Sequence, residues 1–285
     1  MIRVGIIGTG NIGTDLLIKL SKTDNIKTEI FCGRRMESKG IQKATQMKIP
    51  ISDKGIDFFL ENPNYCDLVF DCTNSIDAIQ HAKVFKKQNI RVIDLTPAKV
   101  GTFCVPSIGI TDSININMIT CGGQASIPLL HSISLFSDGL SYIEVVSQIA
   151  SDSAGMATRI NVDNYVETTE SAIYEFTGVD KCKVILNLNP AIPQVNMQTT
   201  LFIKAKSFDF EPLVRDILKR TQELKSHIPG YKLIMPPTMD SGILILSVMV
   251  KGSGDYLPEY AGNLDIINCA AIEATKKIYE QSNSN

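Results

Sequence analysis

Short apolar runs alternate with amphipathic stretches along the first hundred residues. Ile2-Arg3-Val4-Gly5-Ile6-Ile7 reads as a buried strand, and the spacing from Asn11 to Leu20 predicts an amphipathic helix. Further strands are expected at Lys27 to Cys32, Asp67 to Asp71 and Ile90 to Leu95, with a helix over Ile76 to Gln88. That βαβ succession predicts a parallel sheet. Beyond about residue 120 the spacing lengthens. Helices are expected at Ala125 to Phe136, Asn161 to Thr177 and Phe210 to Ser226. Strands are expected at Leu140 to Ile149, Cys182 to Asn187, Gln198 to Lys206 and Ser241 to Lys251. A last helix spans Asp255 to Tyr279, followed by a polar tail, Glu280 to Asn285, expected to lack order.

The turn after the first strand is Gly8-Thr9-Gly10-Asn11-Ile12-Gly13, a G-x-G-x-x-G run between strand and helix. Gly8 permits the tight turn, Gly10 lets a pyrophosphate approach the backbone, and Gly13 lets helix and strand pack closely. The fold class is therefore α/β, with an N-terminal Rossmann domain over residues 1–120 and an α+β catalytic and dimerisation domain over 121–255. The C-terminal segment, 256–285, returns to the first domain. The second strand ends in Gly33-Arg34-Arg35, where a carboxylate would serve the ribose hydroxyls of NAD and arginines would suit the 2′-phosphate of NADP. Glu37 could still serve the ribose, so NADP stays open beside NAD. Thr73 and Asn74 follow a strand end and become cofactor neighbours.

Ile119-Thr120-Cys121-Gly122-Gly123-Gln124-Ala125 supplies a nucleophile. A nicotinamide enzyme with a reactive thiol oxidises an aldehyde through a thioester. The two glycines let main-chain N–H groups approach a developing oxyanion, and a following helix stabilises thiolate and oxyanion. The bland alternative is a buried, inert cysteine beside a turn.

Composition narrows the class. At 285 residues two domains are the natural expectation, and a net charge of −2 with no tryptophan argues against nucleic acid. No apolar stretch reaches membrane-span length. Seven cysteines without a C-x-x-C pair or metal spacing indicate free thiols, no metal, and a cytoplasmic setting.

The chain resembles the acylating acetaldehyde dehydrogenases over essentially its whole length. The resemblance rests on Gly8-Thr9-Gly10-Asn11-Ile12-Gly13-Thr14-Asp15-Leu16, Ile93-Asp94-Leu95-Thr96-Pro97-Ala98, Asn117-Met118-Ile119-Thr120-Cys121-Gly122-Gly123-Gln124-Ala125 and Tyr256-Leu257-Pro258-Glu259-Tyr260-Ala261-Gly262-Asn263-Leu264-Asp265-Ile266. Ser153-Ala154-Gly155, Thr158-Arg159 and Glu167-Thr168-Thr169 add to it. It implies conversion of a short aldehyde, CoA and NAD to acyl-CoA through a Cys121 thioester. It further implies a homodimer and a 4-hydroxy-2-oxoacid aldolase as partner. Asn11, Ile12 and Gly13 would hold pyrophosphate. Ser153, Ala154, Gly155, Arg159 and Asn161 would line the cofactor cleft, and Asn263 would contact the nicotinamide amide.

None of His81, His131 and His227 is placed to form a Cys–His dyad. Thiol activation then falls to backbone amides, the helix N-terminus and the cationic nicotinamide. Three departures stand out. Met197-Gln198-Thr199-Thr200 replaces Met-Arg-Asp-Thr, which removes a candidate base for the CoA thiol. Met156-Ala157 replaces Pro-Gly, which would strain or reshape a turn if that glycine held φ > 0. The segment between Tyr231 and Ser241 is shorter than in relatives. These changes leave open a different acyl group, a reductive direction, or a catalytically inactive nucleotide-binding subunit. Ile185, Leu186, Ile192 and Val195 are candidates for the aldehyde pocket.

Overall fold

The computed structural model describes residues 1–282. Its first sheet grows from the sequence pattern directly. Strand β1 (Ile2–Ile7) leads into helix α1 (Asn11–Leu20), followed by β2 (Ile26–Cys32), α2 (Lys39–Gln46), β3 (Ile51–Ser52) and α3 (Ile56–Glu61). Then come β4 (Leu68–Asp71), α4 (Ser75–Lys87), β5 (Arg91–Asp94), β6 (Thr102–Phe103) and β7 (Asn115–Asn117). All seven strands pair in parallel, in the order β3-β2-β1-β4-β5-β7-β6. The chain leaves β1 toward one side and returns on the other at β4. That reversal opens a crevice at the carboxyl ends of the two strands. Near-continuous burial along β1, β4 and β5 is what a parallel sheet covered on both faces requires.

Helix α5 (Cys121–Leu135) joins this sheet to a second unit. There β8 (Ser137–Asp138), β9 (Tyr142–Ala150), α6 (Met156–Ile160), α7 (Val162–Thr177), β10 (Cys182–Asn189), β11 (Met197–Lys204) and β12 (Ser207–Phe208) follow. The unit closes with α8 (Phe210–His227), β13 (Tyr231–Asp240) and β14 (Ile243–Val250), before the last helix, α9 (Gly262–Ser282). The second sheet runs β10-β9-β11-β14-β13, with only β9 and β10 parallel. One face buries Ile143, Val145, Leu201, Ile203 and Leu246 against the core that contains α5, α7 and α8. The opposite face presents Val146, Gln148, Ile185, Gln198, Thr200, Phe202 and Ile245, each only partly buried.

Several elements differ from the sequence expectation. The short segment before Ser241 is not a loop but β13, joined to β14 by a tight turn in which Ser241 and Gly242 both have positive φ. Two positive-φ residues match the twist of a two-residue hairpin, so a shortened connection folds without strain. Pro236 and Pro237 had hidden this strand, because proline removes ladder donors. Met156 to Ile160 is helical, so the altered glycine position continues a helix rather than a left-handed turn. The last helix begins at Gly262, after Pro258, and continues through Ser282. Residues 283–285 of the expected disordered tail lie outside the described residues.

Helix α9 lies against α1, held by a buried cation. Lys19 Nζ is 2.5 Å from Asp255, bonds Asp265, and lies 3.6 Å from Asp15. Burial opposes the Lys19 charge, yet Asp15, Asp255 and Asp265 overcome it and hold the ammonium above its ordinary range. Asn268 of α9 donates to Ile12 O at 3.1 Å and to Asp15 at 2.8 Å. Removing the cation leaves the buried Asp15 and Asp265 carboxylates uncompensated, while Asp255 keeps its pairing with Lys22. Lys19→Met is therefore expected to lower the unfolding free energy by about 3 kcal/mol, measured by urea denaturation against wild type. An unchanged midpoint would refute the role of this cluster.

Candidate active site

The crevice between β1 and β4 opens into a cleft of about 940 Å³, walled by Gly8, Thr9, Gly10, Asn11, Ile12, Arg34, Thr73, Ser153, Gly155 and Asn263 among others. Its inner end is a pocket of about 60 Å³ that contains Cys121, with Ile119, Ile149, Asn161, Tyr165 and Asn263 in the wall. The two cavities share Ile12, Cys72, Thr73, Asn74, Thr158 and Asn263 in their walls, so residues of both units and of α9 meet around them.

At the glycine turn, Gly8 has φ of 107°, and a Cβ there would lie 2.5 Å from Cys72 backbone. Gly10 faces open space, which leaves its backbone approachable. Gly13 does not line the cleft: a Cβ there would lie 2.0 Å from Gly8 O, so this glycine packs α1 against the turn. Ala154 and Arg159 also stand outside the lining. Arg159 instead clamps the turn before α6, donating to Ser151 O at 2.8 Å and Ala154 O at 3.1 Å. At the far end, Arg34, Arg35, Ser38 and Lys54 line the wall, whereas Glu37 does not. Arg34 pairs with Asp77 at 2.8 Å and Lys54 with Glu61 at 2.5 Å.

The Asn263 side chain is buried, and its Oδ1 has no hydrogen-bond partner among the described residues. An orphaned buried acceptor in a cavity wall fits a ligand N–H donor. With the open glycine turn at the N-terminus of α1, it makes the cleft fit a nicotinamide dinucleotide.

Beneath the cleft, carboxylates end β4 and β5. Asp71 Oδ1 accepts from Thr73 N at 3.0 Å and from the Thr73 hydroxyl at 2.5 Å, while His81 Nδ1 lies 2.7 Å from Asp71 Oδ2. Burial, reinforced by the Asp71 charge, pushes the Asp94 carboxyl up to about 8. Asn117 donates to Asp94 Oδ2 at 2.9 Å and accepts from Ile119 N–H at 2.8 Å. Ile119 has φ of 64°. A β-branched residue rarely adopts that conformation, so the surrounding hydrogen bonds must impose it.

Cys121 is the first residue of α5, where the sequence pattern placed only a preceding loop. Thr120 caps the helix, and its Oγ1 accepts from Gly123 N–H at 2.9 Å. That cap takes the Gly123 donor expected for an oxyanion. Burial pushes the Cys121 thiol up to about 11, despite the opposing pull of Tyr165 and the N–H groups of Gly122 and Cys121. Desolvation outweighs the helix terminus and the backbone amides in the free protein. The Cys121 Sγ lies 3.9 Å from the Tyr165 hydroxyl. No sequence signal marked Tyr165, because the contact spans 44 positions.

The pocket candidates Ile185, Leu186, Ile192 and Val195 do not line either cavity. Ile185 lies on the open sheet face, Leu186 packs on the second core, and Ile192 is 89% exposed. Thr199 is fully buried, and its Oγ1 lies 3.0 Å from Ser147 Oγ. Among the described residues no helix is long and apolar enough to cross a membrane.

Two family models match the chain. The semialdehyde dehydrogenase NAD-binding domain matches residues 3–100, and the prokaryotic acetaldehyde dehydrogenase dimerisation domain matches 121–258. An acetaldehyde dehydrogenase of Pectobacterium atrosepticum is 48% identical, covering 97% of this chain and 95% of its own. One from Spirochaeta aurantia is also 48% identical, covering 98% and 97% respectively. Aspartate semialdehyde dehydrogenase with NADP from Candida albicans superposes with a TM-score of 0.63 over 97% of this chain and 99% of its own. At 14% identity that likeness concerns the fold alone.

A thiol held at about 11 is almost wholly protonated at neutral pH. Alkylation of Cys121 by iodoacetamide in the free protein is therefore expected to accelerate about tenfold per pH unit through the neutral and mildly alkaline range. Peptide mass spectrometry would measure it, and a plateau near neutrality would contradict the burial argument.

Proposed function

The chain belongs to the acetaldehyde dehydrogenase family, and from that premise we propose that Cys121 is the nucleophile of its NAD-dependent acylating aldehyde oxidation. The observation that carries this reading is the position of Cys121 at the inner end of the dinucleotide cleft, in a pocket it shares with Asn263. At about 60 Å³ the pocket suits an aldehyde of a few heavy atoms, acetaldehyde foremost. The Cys121 sulfur adds to the aldehyde carbonyl, and loss of hydride from that adduct leaves a thioester, which the CoA thiol cleaves to acyl-CoA. Bound oxidised nicotinamide supplies the hydride acceptor and a positive ring.

The chain's own residues supply the placement. Gly8, Gly10, Asn11 and Ile12 hold the pyrophosphate at the start of α1, Thr73, Ser153 and Gly155 wall the cleft, and Asn161 borders the inner pocket. Asn263 Oδ1 accepts from the carboxamide. Arg34 and Arg35 meet the adenosine ribose, an arrangement that admits NADP beside NAD. Thr199 is sealed beneath Ser147, so the base for CoA is not drawn from that position. A nucleotide-binding subunit without turnover would have no use for a partly buried thiol at the end of a cofactor cleft.

The dimerisation-family match and the partly exposed sheet face around Val146, Thr200 and Phe202 support a homodimer formed through that face. Residues 1–120 act as the dinucleotide domain with α9 packed on it, and 121–255 as the catalytic and dimerisation domain. A 4-hydroxy-2-oxoacid aldolase is the partner that would supply the aldehyde, in the cytoplasm.

Cys121→Ala is expected to abolish CoA-dependent reduction of the nicotinamide while changing dinucleotide affinity less than about threefold. Nicotinamide absorbance and calorimetric titration measure the two, and retained turnover would sink the assignment. Because Arg35 has no carboxylate partner among the described residues, Arg35→Ala is expected to raise KM for NADP about tenfold and that for NAD far less. Equal effects on both cofactors would remove Arg35 from ribose recognition.

A further inference from the structure

Gly122 marks an unusually close approach. A Cβ on that residue would lie 2.1 Å from the Tyr165 hydroxyl oxygen and 2.8 Å from Ser147 Oγ. The space a side chain would fill is taken by these two hydroxyls, and that of Tyr165 lies 3.9 Å from the neighbouring Cys121 sulfur. Tyr165 sits one turn into α7, its N–H bonded to Asn161 O at 2.8 Å, and its side chain is buried. The Ser147 and Thr120 side chains flank its oxygen and favour charge on it, and the Thr120 hydroxyl lies 2.7 Å from that of Thr169. Ser147 in turn meets Thr199 at 3.0 Å. Two hydroxyl pairs, Ser147 with Thr199 and Thr120 with Thr169, thus lie around the phenol and the thiol.

We propose that Tyr165 is a further catalytic residue of this enzyme, whose hydroxyl donates a hydrogen bond to the Cys121 sulfur whenever that sulfur carries negative charge. The inference rests on Cys121 being the nucleophile. Negative charge appears there twice. It is present on the thiolate that attacks the aldehyde, after the thiol proton has passed to water. It reappears in acyl transfer: the CoA thiolate sulfur bonds the carbonyl carbon, the bond from that carbon to Sγ breaks, and its electron pair stays on Cys121. Tyr165 keeps its proton throughout. Burial, foremost, together with the neighbouring Cys121 charge holds the phenol well above its ordinary range, so it acts as donor and not as base. Hydrogen bonds to charged groups exceed neutral ones in strength, and more so away from water.

The assignment also gives Gly122 a chemical reason. Any side chain there would expel the phenol oxygen while leaving the thiol in place. The role normally expected of a histidine partner is thereby filled in part: among the described residues no histidine lines the inner pocket.

Tyr165→Phe removes only the oxygen and keeps the ring that packs α7. With oxidised NAD bound, the pH profile of Cys121 alkylation is expected to move about one unit toward alkaline pH. The kcat for acyl-CoA formation is expected to fall about tenfold, with KM for NAD unchanged. Gly122→Ala is expected to shift the alkylation profile in the same direction, and to shift it little further in the Tyr165→Phe background, where the donor is already gone although the Ser147 Oγ contact remains. An unmoved profile with unchanged kcat would overturn the proposal. So would loss of NAD affinity and thermal stability without a profile shift, since both mark a packing role only. Turnover retained by Cys121→Ala would instead overturn the nucleophile assignment itself, a separate outcome.

Discussion

Helix α5 is buried around nearly its whole circumference, and the rest of the molecule is arranged by the need to enclose it. Gly122 through Leu130, then Ser132 and Ile133, are all buried. A helix covered on every side cannot rest on a surface. It is walled by α7, α8 and α9 and by strands of the second sheet, while its first residue belongs to both principal cores. Only that first turn meets a cavity. Cys121 reaches the inner pocket because it occupies the end of this enclosed element that lies between the two units.

Placing a nucleophile there sets burial against the electrostatics of a helix terminus. The N–H groups of Cys121 and Gly122 favour the thiolate, and burial disfavours it more strongly. The free protein therefore stores a protonated thiol, which is less open to oxidation than a standing thiolate. Charge from a bound oxidised cofactor would tip that balance when the site is loaded. The same competition is settled differently at Lys19, where three carboxylates surround one ammonium and the ion survives burial. That cluster matters to the chemistry because it ties α9 to α1. Asn263, in the first turn of α9, then faces the glycine turn that begins α1.

The loop leading to Cys121 is held from several sides. Asn117 reaches back to Asp94 and Thr96 and forward to Ile119, and Gln124 donates to Met118 O at 2.9 Å and Cys104 O at 2.7 Å. These bonds account for the positive φ of Ile119, a conformation its side chain disfavours. Backbone strain two residues before Cys121, held by a buried polar network, fixes the path of the chain into α5.

Local physics made much of this legible in the residues. The strand, glycine turn and helix of residues 2–20 depend on period, turn geometry and close packing within one short stretch, and they formed as the pattern indicates. Cys121 was visible for the same reason, as a thiol beside glycines and before a buried helix. Strand β13 was not, because its two prolines argue against a strand unless the partner strand is known. The residues lining the inner pocket were not legible: Ile185 and Leu186 are as apolar as Ile119 and Ile149, and composition cannot tell which face of which strand meets a cavity. By itself, the sequence determined a dinucleotide fold and a candidate nucleophile, since both are written in contiguous residues. Tertiary structure alone decided the state of that thiol and the company of Tyr165, Ser147 and Asn263. Desolvation and hydrogen bonding depend on groups brought together from far along the chain, and no local pattern encodes that distance.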